Sequence, residues 1–171
     1  MTTVLRCRPT NQEAKEAVLE AHAQNHAIVA LLAAKPSCIT NARFDRDELT
    51  LWIERDDIRP VCRTLQKAGY NFLVDVTCVD WYPSEPRFQV TYHILSHKLK
   101  ERLRLCVMVG TLDTEVDSIT PEWPSANFYE REVWDLFGVR FGGHPNLRRI
   151  MLPDQWEGHP LRKDYPVEGY R

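Results

Sequence analysis

The chain has 171 residues, 43% hydrophobic and 27% charged, with 22 basic against 24 acidic side chains and a formal charge of −2. That composition suits one folded domain and excludes a wholly disordered chain. Near-neutrality without a basic stripe argues against nucleic acid as a partner. No apolar run approaches the ~20 residues of a bilayer crossing; the longest, Ala27 to Ala34, ends at Lys35-Pro36. Met1 to Arg8 lacks the apolar core of a secretory leader, so a cytosolic protein is expected, with membrane contact only through a partner. The cysteines (Cys7, Cys38, Cys62, Cys78, Cys106) are scattered and never form C-x-x-C, which leaves neither a disulfide framework nor an iron–sulfur site to expect.

Thr10 and Glu13 form a T-x-x-E capping box, and helical character runs from Asn11 to about Ala34, with a break near Asn25 and a stop at Pro36. Ile28, Leu31 and Leu32 read as core packing, because the stretch lacks the basic face of a membrane-surface helix. Ser37 to Phe44 and Glu48 to Glu54 are expected strands joined at Asp45-Arg46-Asp47; Leu49, Leu51 and Ile53 alternate with Thr50, Trp52 and Glu54. Asp56 or Asp57 opens a helix with an Ile58, Val61, Cys62, Leu65 stripe, which Gly69 ends. Three more strands follow, Asn71 to Val79, Arg87 to Leu95 and Arg102 to Val109, the first two joined by Pro83-Ser84-Glu85-Pro86. A last helix spans Ala126 to Phe137 with Gly138 as its stop.

These elements predict an α+β fold: a single domain, residues 1–137, with helices packed on one face of a mostly antiparallel mixed sheet. Residues 138–171 are rich in glycine and proline yet retain Phe141, Trp156, Tyr165 and Tyr170. Such a segment cannot build its own core but carries apolar anchors, so a long irregular C-terminal arm wrapping a partner protein is expected.

On a helical wheel Tyr129, Val133, Leu136 and Phe137 form the apolar stripe of the last helix. Arg131, Glu132 and Asp135 gather on the opposite side, Arg131 and Asp135 as an i,i+4 pair. Glu130 falls at the edge of the stripe, where a carboxylate needs a partner. Arg148, Arg149, Arg162 or a residue of another chain is the expected basic mate.

The run Tyr129-Glu130-Arg131-Glu132-Val133-Trp134-Asp135-Leu136-Phe137-Gly138 resembles the E-R-E-x-x-D-L-F-G signature of the 30 kDa (C-type) subunit family of NADH:quinone oxidoreductase, respiratory complex I. Gly143-His144-Pro145-Asn146-Leu147-Arg148-Arg149-Ile150-Met151 and Pro153 to Pro166, which holds Trp156, His159, Arg162, Lys163, Asp164 and Tyr165, are similar to the same family's tail. Thr120 to Asn127 also fits, whereas the first 110 residues agree only in the order of elements. The resemblance implies a peripheral-arm subunit of a proton-translocating enzyme, without a cofactor or catalytic site of its own. FMN and the iron–sulfur clusters would sit in partner subunits. The implied partners are the quinone-site subunit, over which the tail extends, and other peripheral-arm subunits. The implied location is the cytoplasmic face of a bacterial inner membrane, or the matrix or stromal side in an organelle.

Other readings of these residues are weaker. Glu130 and Glu132 diverge on a helix and do not suit acid–base catalysis. His144 and His159 with Glu157 or Asp164 lack the tight spacing of a zinc site, and His93 and His97 lie on a strand. Arg148-Arg149 and Arg162-Lys163, diluted by Asp154, Glu157 and Asp164, suit ion pairs across a protein interface, with Trp156 and Tyr165 as anchors. The alternatives are a homologous subunit of a membrane-bound hydrogenase, an F420H2 dehydrogenase or the chloroplast ferredoxin-linked complex, and, remotely, a stand-alone metal-dependent hydrolase built on Glu130, His144 and His159.

Overall fold

A computed structural model describes residues 12–168. Thr10, Cys7 and Tyr170 lie outside the described residues, as does Asn11, the expected start of the first helix. Helix α1 is Gln12–Ala21 and α2 is His26–Ala34. The break near Asn25 is a new N-cap, where the Asn25 side-chain oxygen accepts from the amides of Ala27 (3.0 Å) and Ile28 (3.4 Å). Ile28 and Leu31 are buried as expected, but Leu32 is partly exposed on the outer side of the helix.

Strand β1 (Ile39–Asp45) pairs antiparallel with β2 (Glu48–Ile53), and Arg46 and Asp47 make the turn with positive φ. Helix α3 (Ile58–Lys67) buries Ile58, Val61, Cys62 and Leu65, the stripe expected from the sequence. Strands β3 (Phe72–Asp80), β4 (Phe88–Ser96) and β5 (Glu101–Val109) complete a five-stranded sheet in the order β1-β2-β5-β4-β3. Its pairs are antiparallel except β2 with β5, so the fold is α+β with a mostly antiparallel mixed sheet.

Register explains the core. Val90 faces Val107, Tyr92 faces Leu105 and Ile94 faces Leu103, so alternate residues of β4 and β5 fall on one face. That face forms one cluster with Ile28 and Leu31 of α2, with Ile58, Val61 and Leu65 of α3, and with Val133 of α4 (Ala126–Phe137). A short parallel pair, β6 (Glu115–Asp117) with β7 (Arg140–Gly142), was not foreseen as strands. It ties the chain before α4 to the chain after it, and Val116, Val139 and Phe141 are buried there.

Candidate functional site

The signature helix α4 ends at Gly138, in the left-handed conformation with φ of +77°. A Cβ at this position would also run into the Arg162 guanidinium and the His159 ring. Glycine is therefore needed both for its backbone and for the close approach of the arm.

An α-helix leaves its last four carbonyls without partners inside the helix. Here the Gly138 amide donates to Trp134 O (2.8 Å), His159 Nδ1 to Asp135 O (2.8 Å), the Leu161 amide to Leu136 O (3.0 Å) and Arg162 Nε to Phe137 O (2.6 Å). Three of those four donors come from the arm, more than twenty residues downstream. The positive guanidinium also sits where the helix dipole favours a cation. Burial holds His159 below its ordinary histidine range, and as a neutral imidazole it keeps Nδ1–H for that carbonyl.

Asp135, which the helical wheel sets opposite the apolar stripe, is completely buried because the arm covers that side of the helix. One carboxylate oxygen accepts three successive amides of the arm, from Ile150 (3.0 Å), Met151 (2.8 Å) and Leu152 (3.0 Å). The other meets Arg149 Nη1 at 2.5 Å. Burial pushes the carboxyl up, but the three amides and Arg149 outweigh it and hold Asp135 below the ordinary carboxylate range. Arg149 also donates to the carbonyls of Trp156 (2.7 Å) and Gly158 (3.2 Å) and lies over the Trp134 ring. Arg131 does not pair with Asp135; it donates to the carbonyls of Arg148 (3.1 Å) and Arg149 (3.0 Å). The arginine forks thus read the arm's backbone as well as carboxylates.

Glu130 differs from its expected setting as well. It is fully buried and its partners are not basic: Oε1 accepts the Ile119 amide (2.8 Å) and Oε2 the Ser118 hydroxyl (2.6 Å). His144 Nε2 lies 4.0 Å away but donates to Asn127 O (3.2 Å), while its Nδ1 accepts the Asn146 amide (3.0 Å). Desolvation pushes the Glu130 carboxyl up to about 7, against the pull of Ser118 and Ile119.

The arm's far end is held by a second buried carboxylate. Arg87 forms a two-pronged pair with Asp80 (2.9 and 2.7 Å) and another with Asp164 (3.0 and 2.6 Å). Asp80 also accepts the amides of Tyr82 (2.9 Å) and Lys163 (2.8 Å). Burial raises the Asp80 carboxyl, but Arg87 and those amides bring it below its ordinary range. Asp164 is also held low, chiefly by Arg87.

Of the residues singled out in the sequence, Glu130, Arg131, Asp135, His144, Arg149, His159, Arg162 and Asp164 converge on the α4–arm contact or its sheet-side anchor. Lys163 contributes its backbone amide, Arg148 a carbonyl, and Trp156 a carbonyl with its ring left partly exposed. Tyr165 donates to the Glu157 carbonyl (3.3 Å). Glu132 is exposed on the outer side of α4. Arg87 and Ser118 were missed. Arg87 sits between Pro86 and the first residue of β4, and its one available signal was the acidic Asp80 at the end of β3. Among the described residues no group of three or more His, Cys, Asp or Glu side chains is placed to hold a metal ion. His159 sits at the C-terminal end of α4, so Glu130, His144 and His159 form no common constellation.

Residues 51–171 match the family described as the respiratory-chain NADH dehydrogenase 30 kDa subunit. The chain belongs to that family. It is 44% identical over 147 residues to the NADH-quinone oxidoreductase C-subunit of Geobacter sulfurreducens, covering 85% of this chain and 91% of the relative. It is also 42% identical over 140 residues to the C-subunit of Roseiflexus sp. strain RS-1, covering 80% of each. Among solved structures, a trypsin-resistant fragment of Nqo5 aligns with a TM-score of 0.64 and 29% identity, covering 72% of this chain and 100% of that one. A chain of an archaeal membrane-bound sulfane sulfur reductase shares the fold, with a TM-score of 0.71 at 24% identity over 88% of this chain and 86% of that one. The family match begins at residue 51, well upstream of the Thr120–Pro166 signature, and takes in both Asp80, at the end of β3, and Arg87, just before β4. The family is one component of a multi-subunit NADH-quinone oxidoreductase, and among the described residues no helix is long and apolar enough to cross a membrane.

Proposed function

We propose that this chain is a peripheral, cofactor-free subunit of a proton-translocating NADH-quinone oxidoreductase that scaffolds the quinone-site subunit and transmits no electrons itself. The FMN and iron–sulfur clusters then belong to partner subunits, and the chain reaches the membrane only through them, on the side where NADH is oxidised. The observation that carries this reading is the construction of the arm. Its backbone is bound inward by Asp135, Arg131, Arg149 and Asp80, while apolar side chains point outward: Met151 is 62% exposed, Leu161 48% and Trp156 40%. A rigid backbone presenting exposed apolar and aromatic side chains has little entropy left to lose on docking, which suits a permanent interface.

The test is a pair of outward substitutions, Met151→Glu with Trp156→Glu, in the native organism. Neither residue's side chain anchors the arm, so the fold and the circular dichroism of the purified chain should be unchanged. Co-purification of the quinone-site subunit in mild detergent should fall at least tenfold, with loss of membrane NADH:quinone activity. Normal incorporation of the doubly substituted chain would refute the scaffold role. A second reading, a homologous subunit of a related machine such as a membrane-bound hydrogenase, draws on the fold shared with the sulfane sulfur reductase chain. Electron-input subunits other than an NADH-oxidising one in the same pull-down would favour it.

A further inference from the structure

The base of the arm closes over a carboxylate that, among the described residues, is paired with no lysine or arginine. We propose that Glu130 is a buried proton-binding site whose occupancy is linked to the seating of the arm's base, residues 142–147, over helix α4. The argument begins with what surrounds the side chain. From the segment after β6 come the Ser118 hydroxyl and the Ile119 amide, with the carboxylate of Glu122 as a like charge nearby. Tyr92 of β4 and Cys62 of α3, both buried, feel the charge of Glu130, and burial pushes both far above their ordinary ranges, so both stay protonated and neutral.

On the arm side stands His144, its side chain fully buried. Its Nε2–H is committed to Asn127 O and its Nδ1 lone pair to the Asn146 amide, so both ring nitrogens are used as in a neutral imidazole. Burial and the nearby Arg131 hold its protonation below the ordinary histidine range. Arg131, next to Glu130 in the chain, turns its guanidinium to the carbonyls of Arg148 and Arg149. Among the described residues no lysine or arginine forms an ion pair with Glu130.

Two hydrogen bonds from neutral donors do not repay the cost of removing an anion from water. The seated arm therefore favours the protonated carboxyl, while lifting the arm's base lets water reach Glu130 and returns it to ordinary carboxylic behaviour. Solvent supplies the proton and takes it back; no other group is altered. The folded-state value is raised, so its stabilising effect is complete below the ordinary carboxyl range and is lost as pH climbs. Between the ordinary value of 4.5 and about 7 the opening of the arm's base should rise roughly tenfold per pH unit, then level off. The total span is on the order of a few hundredfold.

The experiment uses the isotope-labelled full chain. Nuclear magnetic resonance follows the glutamate carboxyl carbons from acid to mildly alkaline pH. Hydrogen exchange of the Asn146 amide, corrected for its intrinsic pH dependence, follows the seating of the arm's base. One glutamate should titrate near neutrality and disappear in Glu130→Gln, and the Asn146 opening constant should follow the same transition in the native chain but be flat in that variant. Should Glu130→Gln not fold, Ser118→Ala serves instead: losing a donor to the carboxylate should move the transition upward. All glutamates titrating in the ordinary range, a pH-independent opening of Asn146, or a Ser118→Ala transition that stays put or moves down would each overturn the proposal.

Discussion

The sheet and the arm are held by different physics. In the sheet, Leu51, Leu103, Leu105, Val90, Tyr92 and Ile94 are buried, and the energy lies in apolar surface removed from water. In the arm beyond β7, Ile150, Met151, Trp156 and Leu161 all stay at least partly exposed, and the segment is held by two buried aspartates and the carbonyls at the end of α4. Apolar packing is non-directional and tolerates repacking. The arm's bonds are directional, and each leaves a costly orphan when its partner goes. A glycine- and proline-rich segment can thus take one fixed course without regular secondary structure.

The sharpest way to break this comparison is Asp135→Ala. It leaves Arg149 and three amides without their acceptor, and we expect a loss of about 3–5 kcal/mol. Limited proteolysis should then cut the arm while the sheet domain survives; resistance equal to the native chain would refute the anchoring role. Leu105→Ala should cost a comparable or slightly smaller amount, about 2–5 kcal/mol in urea unfolding. It should lower the stability of sheet and arm together, and selective release of the arm would show that the two are not separate in their energetics. Gly138→Ala should cost roughly 1–3 kcal/mol, since φ is positive there and the arm lies against the site. That loss should appear as faster exchange of the Leu161 amide.

The smallest effect concerns pH. Asp80, Asp135 and Asp164 have lowered folded-state values, so their stabilisation is present above the ordinary carboxylate range and is lost as pH falls through the depressed values. Acid should therefore loosen the arm while the sheet keeps its far-ultraviolet signal. Glu130 acts with the opposite sign, which places the tightest seating of the arm in mildly acidic solution. Protection of the Met151 amide across that range checks the shape of the curve.

Much of the fold was legible in the sequence. The limits of α4 are those expected, because Gly138 marks the end and an apolar stripe marks the body. The break at Asn25 and the α3 stripe came from local chemistry and periodicity. An expected β3 alternation of Phe72, Val74, Val76 and Cys78 fails at its start: a register shift between Leu73 and Asp75 leaves Phe72 and Val74 exposed and buries Leu73 with Val76 and Cys78. The signature helix and the signature tail meet in the structure, but two carboxylates of the helix sit differently from the wheel's expectation. The wheel sets Asp135 opposite the apolar stripe as a partner for Arg131, and sets Glu130 at the edge of the stripe in need of a basic mate. A wheel registers only neighbours three or four residues apart, and the groups that bury these side chains lie eleven to seventeen positions away.

The sequence by itself determined the secondary elements, the α+β class and the family signature, since each rests on propensity, period or a contiguous run of residue types. Only the tertiary structure decided that Asp135 receives Ile150, Met151 and Leu152, that Arg87 bridges Asp80 and Asp164, and that Glu130 is enclosed by Ser118 and Ile119. Those choices depend on which backbone groups are left unpaired when the arm folds back over α4. Unpaired donors and acceptors leave no periodic trace along a chain.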